Sequence, residues 1–299
     1  MAIKSRNREG GLLADVLLSA IVILAVLFCI FPFFLIFSSS LSSETSIRIY
    51  GYSLIPREFT LDAYKIVLNA QNSLIAGGYK TTVIVTVTGT VLSSLITILA
   101  AYPLSRKKYK FRSGLNFFVF FTMLFNGGLV PWYMATTQWY GLHNNYAALI
   151  VPYLASAWNV FLLRNFMSAI PDEMEESAKI DGAGNFRILF AIFVPMCTPG
   201  IATVTLFNVI TYWNDWWLGL MLLDGNKIVP LQLFLLRIME SIDFLAQSAK
   251  AAAFAGRRSI PTETVRMAIC MLTIGPIIFV YPFFQKHIVK GMLVGSVKG

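Results

Sequence analysis

The chain has 299 residues, of which 57% are hydrophobic and 13% charged, and its formal net charge is +9. Soluble globular domains carry charge on roughly a quarter of their residues. This composition therefore excludes a water-soluble enzyme or binding module and indicates a membrane protein.

Crossing roughly 30 Å of hydrocarbon takes about 20 consecutive apolar residues in a helix. Six stretches meet that need, at about 12–37, 79–104, 114–136, 147–166, 200–223 and 265–284. The expected fold class is all-α, a polytopic membrane protein with six transmembrane helices in a single domain over residues 1–299. Lys4, Arg6 and Arg8 precede the first stretch as they would a secretory signal. Its apolar core is longer than the roughly 7–15 residues of a signal, so it reads as a retained span. In the outer loop that follows, a short helix is expected after Thr60, which can cap it while Asp62 suits its positive end.

The short loop after the second span holds "RKKYKFR" at 106–112. Lys and Arg concentrate in cytoplasmic loops, so this cluster places both termini in the cytoplasm. The net charge then reflects topology and an anionic inner leaflet, and nothing points to nucleic acid.

Between the fourth and fifth spans, residues 171–195 interrupt the apolar sequence. Pro171 suits the first turn of a helix, and Asp172, Glu173, Glu175 and Glu176 crowd its positive end. Gly182 is a natural terminator. Phe186, Leu189, Phe190 and Phe193 then stand at i, i+3, i+4 and i+7, one apolar stripe, before Pro195 and Pro199 end the pattern. The element reads as a helix, a glycine turn and a second helix, projecting into the cytoplasm. On these residues alone, a solvated loop is the alternative.

The fifth span carries "FNVITYWNDWWLGL". In one continuous helix Asn208, Thr211, Tyr212, Asp215, Trp216 and Gly219 share a face. A carboxylate at membrane depth is costly and faces a cavity or a partner. Aromatic rings beside hydrogen-bonding groups suit a sugar, with its apolar C–H faces and hydroxyl edges. Two readings stand: Asn208, Tyr212, Asp215 and Trp216 line a substrate pathway, or the stripe is an interfacial aromatic belt. Arg257, Arg258 and Arg266 form an outer basic patch that meets an acidic partner or snorkels at the membrane surface.

Cys29, Cys197 and Cys270 stand apart, with no metal or redox spacing. His143 and His287 form no HExxH, and there is neither a G-x-S-x-G elbow nor a phosphate-binding G-x-x-x-x-G-K-[ST]. No catalytic residue, metal or cofactor is expected on this chain.

The hairpin carries a family resemblance. Permease subunits of importers driven by ATP-binding-cassette ATPases share a cytoplasmic signature: Glu-Ala-Ala, three residues, Gly, nine residues, then Ile-x-Leu-Pro. Here Glu176-Ser177-Ala178, Gly182 and Ile192-Phe193-Val194-Pro195 stand at that spacing, departing by Ser177 and Val194. The "DGA" at 181–183 and the C-terminal "YPFFQKHIVKGMLVGSVKG" resemble the carbohydrate-importer branch, similar to the smaller permease of the maltose system. "FNGGLVPWYM" and "LLRNFMSAIPDEMEESAKIDGA" look closer still to importers of complex oligosaccharides and polysaccharide fragments, including alginate. The resemblance covers nearly the whole chain.

It implies a coupling helix seated in a cleft of a cytoplasmic ATPase, with Glu176, Ser177, Ala178, Asp181, Gly182 and Ala183 at the contact. It also implies a second homologous permease, two cytoplasmic ATPase subunits holding ATP and Mg, an extracytoplasmic sugar-binding protein and a bacterial inner membrane. The C-terminal tail would lie between the ATPase subunits. Two rivals remain on the residues: a proton-coupled secondary transporter using Asp215, and a non-transporting intramembrane enzyme or scaffold.

Overall fold

A computed structural model describes residues 8–225, 228–241 and 263–295, and among these it is helical, with one isolated antiparallel bridge between Ser42 and Phe59. The described residues fall into two compact units, drawn from Met1–Asn72 with Met239–Leu272 and from Ser73–Ile238 with Thr273–Gly299. Three helices are long and apolar enough to cross a membrane alone: Ala14–Ser40, Ile75–Ser105 and Glu263–Gln285. Among the described residues three bent helix pairs bring the number of spans up to six, each pair counting as one broken span.

In the first unit, α1 (Arg8–Ser40) is exposed along its apolar core. Helix α2 (Glu44–Tyr50) starts at Ser43, whose Oγ accepts from the Ser46 amide at 3.1 Å. The Glu44 carboxylate in turn accepts from the amide and hydroxyl of Thr264, both at 3.0 Å, at the start of α14 (Glu263–Gly295). The expected short helix after Thr60 is instead the first part of α3 (Asp62–Ser105), a continuous helix of 44 residues. Thr60 still serves its start, its Oγ1 accepting from the Asp62 amide at 3.1 Å. The sixth stretch, expected at 265–284, likewise lies within the longer α14, which contains Pro276 and Pro282.

In the second unit the third, fourth and fifth stretches are each broken, and turn chemistry explains each break. Helices α4 (Arg112–Leu124) and α5 (Leu129–Met134, continued by a π-helical turn to Trp139) meet at 114°. The bend lies at "NGG": Gly128 has a φ of 89°, and its amide donates to Asn126 Oδ1 at 2.8 Å. Helix α6 (Tyr146–Ile150) and α7 (Ala157–Ser168) meet at 49° across Pro152, and the Ser156 side chain caps α7.

Helix α8 (Asp172–Ile180) is followed by α9 (Asn185–Ile188), a π-helical turn (Leu189–Phe193), α10 (Val194–Met196) and α11 (Thr198–Trp213). The chain turns by 85° between Asn185–Met196 and Thr198–Trp213. Pro195 and Pro199 bracket that turn, because proline has no N–H and its ring clashes with the carbonyl four residues back. The fifth stretch, expected unbroken at 200–223, stops at Trp213 and resumes as α12 (Trp217–Leu222). A further helix, α13, covers residues 231–241. One core cluster joins the second arm of the hairpin to α3 and α7, where Ala101, Leu163, Met167, Ile188, Leu189 and Phe193 are buried together.

Candidate coupling hairpin and pathway face

Asp172, Glu173 and Glu175 fill the first turn of α8, where carboxylates meet the positive end of the helix dipole. At the other end the Gly182 amide donates to the Lys179 carbonyl at 3.0 Å and the Ala183 amide to the Ala178 carbonyl at 2.9 Å. That pair of main-chain bonds is a Schellman closure, which requires a left-handed residue, and Gly182 supplies it with a φ of 80°. A Cβ built on Gly182 would meet nothing within 4 Å, so the tip is open. Glu176, Ser177, Asp181 and Gly182 are exposed, and Ala178 and Ala183 are half-buried.

Two features of the tip differ from the sequence reading. Glu176 is held within the chain, 2.6 Å from Lys108 Nζ, and it keeps that ammonium above its ordinary pKa. The expected stripe also divides: Leu189 and Phe193 are buried, whereas Phe186 is 73% exposed and Phe190 45%. The π-helical turn adds a residue to the repeat and shifts its phase. With Ile180, which is 86% exposed, Phe186 gives the tip an apolar surface that attention to charge had missed. The signal was present, as an isoleucine beside the glycine turn and a phenylalanine just after it.

The basic cluster and Arg164 also make structural bonds. Arg112 Nε and Arg164 Nε both donate to the Leu104 carbonyl, at 3.1 and 3.2 Å. These bonds satisfy a terminal carbonyl of α3 and place cations at its negative end.

The fifth-span residues lie around the end of α11. Asn208 and Tyr212 are buried. Asn159 Nδ2 donates to Asn208 Oδ1 at 2.8 Å, and Asn208 Nδ2 donates to Ser94 Oγ at 3.2 Å, linking α7, α11 and α3. Tyr212 OH donates to the Ile150 carbonyl at 3.0 Å. Its ring lies so close to α3 that a Cβ on Gly89 would stand 2.5 Å from it.

Asp215 sits in the helix break, buried, and accepts from Tyr153 OH at 3.0 Å and from the Leu218 amide at 3.4 Å. The carboxylate thus caps α12, and the helix break separates Trp216, which is 44% exposed, from the face of α11. Between α7 and α11 lies an open cavity of about 510 Å³, lined by Tyr153, Trp158, Asn159, Phe207, Asn208 and Thr211 among others. Tyr212 also lines it, whereas Asp215 and Trp216 do not. Arg266 lies 3.6 Å from Glu263. Arg257 and Arg258, and the end of the C-terminal tail, lie outside the described residues.

Apolar spans, some of them broken, together with a polar hairpin closed by a glycine turn, describe a membrane-embedded transport subunit. Residues 73–294 match the family described as "Binding-protein-dependent transport system inner membrane component", and the chain belongs to it. It is 36% identical over 287 residues to the polygalacturonan/rhamnogalacturonan transport system permease protein YtcP of Bacillus subtilis, covering 96% of this chain and 99% of that one. It is also 36% identical over 271 residues to protein LplC of the same organism, covering 90% of each. Among solved structures it resembles a bacterial ABC transporter involved in the import of the acidic polysaccharide alginate. The TM-score is 0.79 at 29% identity, over 95% of this chain and 99% of that one.

The protein is therefore a non-enzymatic permease subunit of an ATP-binding-cassette importer in the inner membrane, and ATP hydrolysis resides on a separate chain. The proton-coupled and intramembrane-enzyme alternatives are set aside. Asp215, on which the first rested, is occupied as a helix cap.

Proposed function

We propose that this permease carries an oligosaccharide derived from an acidic polysaccharide across the inner membrane, with both termini in the cytoplasm. It would pair with a second homologous permease, draw on two cytoplasmic ATPase subunits that hold ATP and Mg, and receive its cargo from an extracytoplasmic sugar-binding protein. The observation that carries the reading is the hairpin, a Schellman-closed tip with open space over Gly182 and exposed Ile180 and Phe186. Seated in an ATPase cleft, that tip would bring Glu176, Ser177, Ala178, Asp181, Gly182 and Ala183 into contact with the motor.

The acidic cargo is suggested by the names of two similar proteins, which concern polygalacturonan/rhamnogalacturonan and alginate. A bare carboxylate on the path would repel such a sugar, but Asp215 is buried and bonded to Tyr153. The cavity beside α11 offers Trp158 and Phe207 for sugar faces and Asn159 and Thr211 for hydroxyls. We assign the pathway to that face, with Asn208 and Tyr212 as its buried support. The deciding experiment is purification of the assembled complex, followed by ATP hydrolysis with binding protein and a panel of uronate and neutral oligosaccharides. Stimulation by neutral sugars alone would refute the acidic cargo, and stimulation by none would refute the importer role.

A further inference from the structure

We infer that Arg106 is the positioning residue that locks the coupling hairpin to the cytoplasmic end of the second span, so that displacing one displaces the other. The inference rests on the importer reading above and gives it a mechanical part. Arg106 follows α3 directly and is 5% exposed, while Lys107, Lys108 and Lys110 of the same cluster are exposed.

Its guanidinium reaches three other elements. One terminal nitrogen donates to Asp172 Oδ1 at 3.3 Å and lies 3.8 Å from Glu175 Oε2, both on α8. The other donates to the Met167 carbonyl in the last turn of α7, and Nε donates to Ser105 Oγ at 2.9 Å. The guanidinium carbon stands over the Phe193 ring, 4.4 Å from its centroid. Tyr102, one turn earlier on α3, meets the same ring edge-on at 5.1 Å. Phe193 is fully buried and ends the π-helical turn that leads from the hairpin into α11. One buried cation therefore touches the end of the second span, the end of the fourth, the coupling helix and the entry to the fifth.

The rigid fork of guanidinium donors makes this a stiff joint. Pulling α8 away from α3 would strand a buried charge, which is far costlier than moving the two helices together. The Lys108–Glu176 pair bridges the same two segments at 2.6 Å, but its side chains are 75% and 51% exposed. Water replaces such a contact at little cost, so it transmits little force.

The test uses the assembled complex with its binding protein and whichever alginate or polygalacturonate oligosaccharide stimulates the wild type. The readout is the ratio of stimulated to basal ATP hydrolysis, which a merely structural bond would not change in complexes recovered with a full complement of ATPase. Arg106→Gln should lower that ratio about fivefold or more, within the range of ordinary allosteric coupling factors. Asp172→Asn combined with Glu175→Gln should do the same from the other side, and Lys108→Gln should lower it by less than about twofold. An assembled Arg106→Gln complex with a wild-type ratio overturns the inference. If that variant fails to assemble, the double variant decides: a lowered ratio supports the joint and a retained ratio refutes it. Failure of both to assemble marks the bond as structural only and also refutes it. A wild-type complex stimulated by no oligosaccharide would instead bring down the importer reading beneath it.

Discussion

Substitution at Gly182 can separate the folding of the hairpin from its docking. With φ at 80°, any L-residue pays left-handed strain of about 1–2 kcal/mol, and asparagine pays less. No atom lies within 4 Å of the built Cβ, so a larger side chain adds no clash within the chain. That strain is small beside the 5–15 kcal/mol by which folded domains are typically stable, and the permease should insert and fold. Strain acts on the free and docked hairpin alike, so the docking penalty comes from bulk alone. Forcing a leucine side chain into a close-fitting cleft should cost about 1–3 kcal/mol, or about 5- to 150-fold in affinity for the ATPase. The assay is co-purification of the ATPase with Gly182→Asn, Gly182→Ala and Gly182→Leu, together with ATP hydrolysis in the presence of binding protein and sugar. Equal membrane levels with graded loss of ATPase, worst for leucine, are expected. Wild-type recovery and stimulation for Gly182→Leu would refute the docking argument.

Glu176→Lys removes an exposed pair and reverses a charge on the proposed contact surface; because surface pairs contribute little, a smaller loss of co-purified ATPase than for Gly182→Leu is expected. Trp158→Ala, at an exposed position on the cavity face, should leave assembly intact and weaken uptake, measured with radiolabelled oligosaccharide. Tyr212→Ala should behave differently, since it empties the space against Gly89 and should destabilise the complex by about 3–5 kcal/mol. Tyr212→Phe loses only the bond to Ile150, about 1 kcal/mol, and thermal unfolding in detergent should separate the two. Gly89→Ala places a methyl 2.5 Å from the Tyr212 ring and should cost about 1–3 kcal/mol by overpacking, a loss reduced in a Tyr212→Leu background.

The spans were legible because twenty-residue apolar runs have few other uses in a chain this poor in charge, and the hairpin because proline, acids and glycine punctuate it in order. The breaks were not. A hydropathy window passes over Asn214 and Asp215 because the aliphatic residues before Thr211 and after Trp217 outweigh them, although those two polar residues end one helix and cap the next. The stripe from Phe186 to Phe193 was read at a constant 3.6-residue period, which a π-helical turn violates without any change in composition. Arg106 was invisible for another reason. Topology rules treat all five basic residues of "RKKYKFR" alike, and only packing distinguishes the one that is buried.

The closure at Gly182 is made entirely by main-chain bonds. The exposed side chains at 177 and 181 are therefore not needed to hold the loop in shape. In the proposed assembly they are free to differ from one permease to the next, as a plug keeps its shape while its pins are rearranged. A permease built this way can be re-fitted to a different motor by exchanging a few surface groups around one fixed glycine, leaving the spans that handle the cargo untouched.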